Sequence, residues 1–229
     1  MTGALAARSL DHIALWVADR EPIAEILCQR FGMHVIGTGD DFTLVGADAK
    51  QGKLTLFDAE GPRERGALDL IVLRVSDLRN ALDLLPDDFA VERREGVAAV
   101  RLPEGLRIGL AQADGLDYDL HHVVLRVTDP ERTAAGLADL GFARNDGRLV
   151  VADREVHLRS GGDGPTERPL LNHLALLVDS ADRVHAAAEG RGLEIDRVVD
   201  AENTYAVFVR GPDGILVEYV EHKPGFSLV

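Results

Sequence analysis

Four stretches of the chain repeat one pattern: Leu10-Asp11-His12-Ile13-Ala14-Leu15-Trp16-Val17, Leu68-Asp69-Leu70-Ile71-Val72-Leu73-Arg74-Val75, Leu120-His121-His122-Val123-Val124-Leu125-Arg126-Val127 and Leu171-Asn172-His173-Leu174-Ala175-Leu176-Leu177-Val178. Each is a short run rich in Val, Ile and Leu, which reads as a β-strand. Their third positions, residues 12, 70, 122 and 173, are spaced 58, 52 and 51 residues apart. A period of this length marks a repeat architecture, with one supersecondary unit per repeat.

Working outward, each strand leads to a helix start. Asp19, Asp77, Asp129 and Ser180 each stand seven residues beyond the third position. Asp and Ser favour the N-cap because their side-chain oxygen accepts from a free backbone N–H. Helical stripes follow, Ile23, Ile26, Leu27 and Phe31 in the first repeat and Leu78, Ala81, Leu82 and Leu85 in the second. Each predicted helix ends near Gly32, Pro86, Gly141, or Gly190 and Gly192. The remainder of each unit reads as about three short strands. In the second repeat residues 98–102 and 106–111 flank Pro103-Glu104-Gly105. In the fourth, residues 205–210 and 215–220 flank Gly211-Pro212-Asp213-Gly214. Residues 60–66, 113–118 and 161–169 read as linkers.

The chain has 229 residues, 46% of them hydrophobic, 28% charged, and a net charge of −14. Without a basic face to meet phosphates, nucleic acid and anionic membranes are not expected partners. No apolar run reaches membrane-spanning length. Residues 1–10 lack the apolar core of a secretory signal, so a cytoplasmic protein is expected. The lone cysteine, Cys28, excludes an intramolecular disulfide and a Cys-based zinc site; within an apolar run, it reads as a small core residue.

The Leu-x-His-x-x-Leu strand starts and the closing Gly211-Pro212-Asp213-Gly214-Ile215-Leu216-Val217-Glu218-Tyr219 resemble the vicinal oxygen chelate superfamily, which includes glyoxalase I, extradiol dioxygenases and bleomycin-resistance proteins. The resemblance implies an α+β fold of four tandem β-α-β-β-β modules. These are expected to form two open-barrel domains, 1–113 without a metal and 119–229 with one. It also implies metal ligands on the first and last strands of the modules: His122, His173 and Glu218, holding Fe(II) or, alternatively, Mn(II). Two imidazoles and a carboxylate leave positions open for substrate and dioxygen. His12 fills the corresponding slot of the first module, but Leu70 and Gly109 fill those of the second. The first half is therefore expected to be scaffold.

His157, on the last strand of module three, is a candidate acid/base or fourth ligand. His121 neighbours His122, so strand alternation points it to the other face, and it is not expected to be a ligand. Asn203 and Tyr205 precede the final hairpin as candidate pocket residues, and Tyr205 could hold a second substrate hydroxyl. Phe208 stands where extradiol enzymes usually carry a Tyr, as a substrate-binding candidate. The leading expectation is an extradiol-type dioxygenase acting on a small vicinal diol or similar chelating substrate, with dioxygen as co-substrate. Alternatives are a glyoxalase- or epimerase-type isomerase or lyase, and a non-enzymatic binding protein. Homo-oligomers are expected in this family.

Overall fold

The computed structural model describes residues 5–48, 52–87 and 89–224. Residues 1–4 of the stretch read for a signal lie outside this set. The four repeats fold alike. The first consists of β1 (Ser9–Val17), α1 (Arg20–Arg30), β2 (His34–Thr38), β3 (Phe42–Gly46) and β4 (Lys53–Asp58). The second has β5 (Leu68–Val75), α2 (Leu78–Asp83), β6 (Glu92–Arg94), β7 (Val97–Arg101) and β8 (Arg107–Gln112). The third has β9 (Leu120–Arg126), α3 (Pro130–Asp139), β10 (Ala143–Asn145), β11 (Arg148–Val151) and β12 (Arg154–Arg159). The fourth has β13 (Leu171–Leu177), α4 (Ala181–Gly190), β14 (Ile195–Asp200), β15 (Thr204–Arg210) and β16 (Leu216–His222).

Each repeat is thus β-α-β-β-β, as expected. All four predicted N-caps act as such: the side chains of Asp19, Asp77, Asp129 and Ser180 accept from the backbone N–H of Glu21, Asn80, Arg132 and Arg183.

Strand pairing departs from the expected division at residues 113–119. One eight-stranded sheet has the order β14-β15-β16-β13-β1-β4-β3-β2, and the other β10-β11-β12-β9-β5-β8-β7-β6. Modules one and four build the first sheet; modules two and three build the second. The joining pairs, β1–β13 and β5–β9, are antiparallel. All four first strands carry the same apolar pattern, so periodicity alone does not distinguish this pairing from one between consecutive modules.

The helix-bearing faces of both sheets feed one continuous core, which includes Ile13, Leu27, Ile71, Leu137, Leu176 and Val184. The opposite face of each sheet forms a cup with its own small apolar cluster. Leu70, Val72, Ala99, Ala111 and Val124 line one; Ala175, Ala206, Phe208 and Val220 line the other.

The register shows one irregularity in every first strand. Pairing of β1 with β13 skips Asp11 on one side and Asn172 on the other. Pairing of β5 with β9 skips Asp69 and His121. A β-bulge places an extra residue that is free to re-aim its side chain. Here the bulged residue always precedes the third position of the repeat, and it turns toward the same cup.

Candidate metal centre

The third position of each repeat points into a cup, and so does the residue on the last strand opposite the position two further on. Parallel pairing sets Ala14 against Thr55, Val72 against Gly109, Val124 against His157 and Ala175 against Glu218. The first cup therefore brings together His12, Thr55, His173 and Glu218. The second brings together Leu70, Gly109, His122 and His157.

This geometry corrects the expected ligand trio. His173 and Glu218 do share a cup, but His122 lies in the other sheet, and His12 takes the place expected for it. Among the described residues, His12, His173 and Glu218 form the one group of His, Cys, Asp or Glu donors close enough to hold an ion together. His12 Nε2 lies 3.1 Å from His173 Nε2 and 3.2 Å from Glu218 Oε2. His173 Nε2 lies 2.9 Å from the same oxygen.

The bulged residues fix both rings. His12 Nδ1 donates to Asp11 Oδ2 at 2.8 Å, and His173 Nδ1 donates to Asn172 Oδ1 at 3.0 Å. A ring that donates from Nδ1 offers the Nε2 lone pair to the centre, which is how second-sphere acceptors prepare imidazoles for metals. Asp11 is itself buried. It accepts from Lys53 Nζ at 2.9 Å and lies 3.4 Å from His222 Nε2.

Glu218 Oε2 is buried, faces both imidazoles, and has no aligned hydrogen-bond partner. A buried carboxylate needs a positive partner, and here that is either the protonated His12 ring or a bound cation. With His12 deprotonated, two imidazole nitrogens and one carboxylate oxygen aimed at one point fit a borderline divalent cation.

The electrostatics agree. Burial raises the Glu218 carboxyl, but the charge of His173 and the approach of His12 outweigh it and hold the group down to about 2. Burial also lowers His12, yet the hydrogen bond to Asp11 and the nearness of Glu218 win and lift it to about 9. A proton and a metal ion therefore compete for His12 Nε2.

Aromatic rings wall this cup. Phe208 meets the His173 ring edge-on with centroids 5.1 Å apart, and the Arg197 guanidinium lies 4.0 Å from the Phe208 centroid. Phe57 lies 6.4 Å from His173 and packs against Trp16 and Phe42. Phe208 is thus beside the centre, as a substrate-binding residue would have to be.

The remaining candidates lie elsewhere. Tyr205 alternates onto the helix-bearing face, where it packs against the main core beside Asp182 of α4. Asn203 is exposed in the turn between β14 and β15. His157 stacks on His122 in the second cup, with centroids 4.2 Å apart. His121 does not point away from His122, because the bulge brings their Nδ1 atoms to 2.6 Å.

Sequence reading missed Asp11, Lys53, Asn172 and His222. It also held the signal for choosing His12. His12 and His173 are each preceded by a hydrogen-bond acceptor, Asp11 and Asn172, whereas His122 is preceded by another histidine.

A family model described as the glyoxalase/bleomycin resistance protein/dioxygenase superfamily matches residues 9–95 and 119–219, more than half of the chain. The chain belongs to this superfamily. A comparison with curated proteins found no match. Similar solved structures include a putative dioxygenase from Bacillus subtilis, 17% identical over 96% of this chain and 87% of that one, with a TM-score of 0.79. Glyoxalase I from Zea mays is 19% identical over 94% of this chain and 92% of that one, with a TM-score of 0.69. The CppA protein from Streptococcus pneumoniae is 13% identical over 93% of this chain and 99% of that one, with a TM-score of 0.66. At these identities the likeness is one of fold: two vicinal oxygen chelate domains forming open barrels. No helix among the described residues is long and apolar enough to cross a membrane.

Proposed function

We propose that this superfamily member is a metal-dependent dioxygenase whose His12, His173 and Glu218 hold one Fe(II), with Mn(II) as the alternative, and that it acts on a small, largely apolar chelating substrate such as a vicinal diol. The convergence of two imidazole nitrogens, each oriented by an acceptor behind it, with the buried Glu218 Oε2 carries this reading. Bound there, Fe(II) would supply the oxygen-activating chemistry for which two histidines and one carboxylate, with positions left open, are the usual set.

The protein's own part is orientation and shielding. Asp11 and Asn172 hold the rings in the lone-pair-inward tautomer. Phe42, Phe57 and Phe208 give a flat apolar substrate an aromatic wall, and the Arg197 cation over Phe208 stiffens it. The fourth slot favours a dioxygenase over a glyoxalase- or epimerase-type isomerase. It holds Thr55, not a carboxylate or imidazole, so three protein donors face the centre where an isomerase of that type would present four.

Metal analysis of anaerobically purified protein tests this. We expect about one iron or manganese per chain, lost in His12→Ala and Glu218→Ala and kept in His122→Ala, together with oxygen uptake on some catechol-like diol. Loss in His122→Ala with retention in His12→Ala would refute the assignment. Stoichiometric zinc, nickel or cobalt without oxygen uptake would move the reading to an isomerase or lyase. No metal, and none taken up on addition of Fe(II) or Mn(II), would leave a binding protein.

A further inference from the structure

The second cup has lost the metal-binding pattern: two of its four slots are Leu70 and Gly109, neither of which offers a ligand atom. It has gained something else. A cavity of about 210 Å³ opens on this face, lined by Arg94, Arg107, Arg126, Arg148 and Arg159, with His122 and His157 among its walls. Three carboxylates, Asp69, Glu92 and Glu95, also line it. In a chain of net charge −14, five guanidiniums around one small cavity run against the overall balance.

Two of these arginines sit in ordinary ion pairs, Arg107 with Glu92 at 2.8 Å and Arg148 with Glu155 at 3.1 and 3.2 Å, but the contacts around Asp69 are looser. The bulge in β5 turns Asp69 into the cup, where its side chain is buried. Its Oδ1 accepts from Arg107 at 3.4 Å, Arg126 at 3.3 Å and Arg65 at 3.4 Å, and its Oδ2 lies 4.0 Å from Arg159. Charge-assisted bonds are normally about 2.7–2.9 Å long. One carboxylate is therefore stretched among four guanidiniums and neutralises none of them fully. Glu92 and Glu95, which pair with Arg107 and Arg159, have side chains 54% and 82% exposed and lie toward solvent. Arg126 Nε is buried with no hydrogen-bond partner. Asp69 thus gathers Arg107, Arg126 and Arg159 at long range and leaves Arg126 in particular with donor capacity unspent. Beside them, Leu70, Val97, Ala99 and Val124 supply an apolar wall.

We propose that this second cup binds a small organic dianion, a phosphomonoester or a dicarboxylate, at a site separate from the metal centre. Guanidinium forks match both oxyanions bidentately. A cavity equal to roughly seven water volumes suits a small ligand, its carbon skeleton against the apolar wall. The inference does not depend on the metal reading, since no residue of the first cup takes part.

Titration calorimetry on the full chain tests it, using inorganic phosphate, glycerol phosphate and succinate, with sodium chloride at matched ionic strength as the control. We expect one dianion per chain to bind with a Kd at or below about 1 mM. Arg126→Gln and Arg94→Gln should each weaken it by roughly tenfold. Arg94 is exposed on a three-residue strand, so its replacement keeps the test valid should Arg126→Gln fail to fold. Glu218→Gln, in the other cup, should bind as tightly as the parent. Binding of phosphates alone would assign a phosphoryl ligand, of succinate alone a dicarboxylate, and of both the shared dianion chemistry. No heat beyond the chloride control, unchanged affinity in both arginine variants, or loss of binding in Glu218→Gln would overturn the proposal.

Discussion

His12 and His122 fill the same position of the repeat, yet their neighbours set opposite charges on them. His12 has Asp11 behind it and Glu218 before it, and is held charged up to about pH 9. His122 is buried, and next to it lie His157 and His121 with like charge; together these push it from 6.5 to about 3. The sign of the linkage follows. A histidine with a depressed pKa in the fold binds its proton less readily than in the unfolded chain. Its contribution is intact above pH 6.5 and is lost as pH falls toward about 3. We expect His122→Gln to flatten the acid limb of stability in that window, by a few kcal/mol at most. Urea midpoints across the pH series would show it, and an acid limb identical to the parent's would contradict it. The rule that alternate strand residues face apart fails at His121 because a bulge, invisible to periodicity, sits there. It fails at Asp11, Asp69 and Asn172 for the same reason.

At the level of elements, the turns Pro103–Gly105 and Pro212–Gly214 do more than close hairpins. Glu104 and Asp213 take left-handed backbone conformations, with φ of 58° and 52°. Each then reaches a helix start in the preceding module. Both Glu104 carboxylate oxygens accept from the backbone N–H of Ala18, at 2.9 and 2.8 Å, and one also from Asp19. Asp213 accepts from the backbone and hydroxyl of Thr128 and from the Thr133 hydroxyl. The hairpins thus fasten module two to module one and module four to module three. A glycine at a positive-φ position ordinarily relieves strain. If the fastening dominates, Asp213→Gly and Glu104→Gly should instead each lose about 1–2 kcal/mol, as when a helix cap is removed. Denaturation midpoints decide, and a gain in either variant would mean that turn strain dominates there. The motif was legible as a hairpin signal; its second role needed the packing of two modules.

At the scale of the whole molecule, each sheet needs both halves of the chain. The pairing of β1 with β13 and of β5 with β9 buries strands that either half alone would leave as open apolar edges. Residues 1–113 or 119–229 expressed separately should aggregate or stay unfolded. Mixed from denaturant, they should regain cooperative unfolding and bind metal, because His12 lies in one half and His173 and Glu218 in the other. A monomeric half that unfolds cooperatively would show that consecutive modules can pair by themselves.

The sequence by itself determined the four-fold repeat, the β-α-β-β-β unit, the four N-caps and the positions that can face a centre, because each rests on short-range spacing and local hydrogen bonding. It placed His173 and Glu218 correctly in one cup, since both belong to a single module. Which first strand faces them was decided only by tertiary structure. Four nearly identical strand edges can pair in more than one order at similar apolar burial. The choice among them turned His12 into the partner of His173, left His122 and His157 beside a ring of arginines, and set Tyr205 on the far side of its sheet.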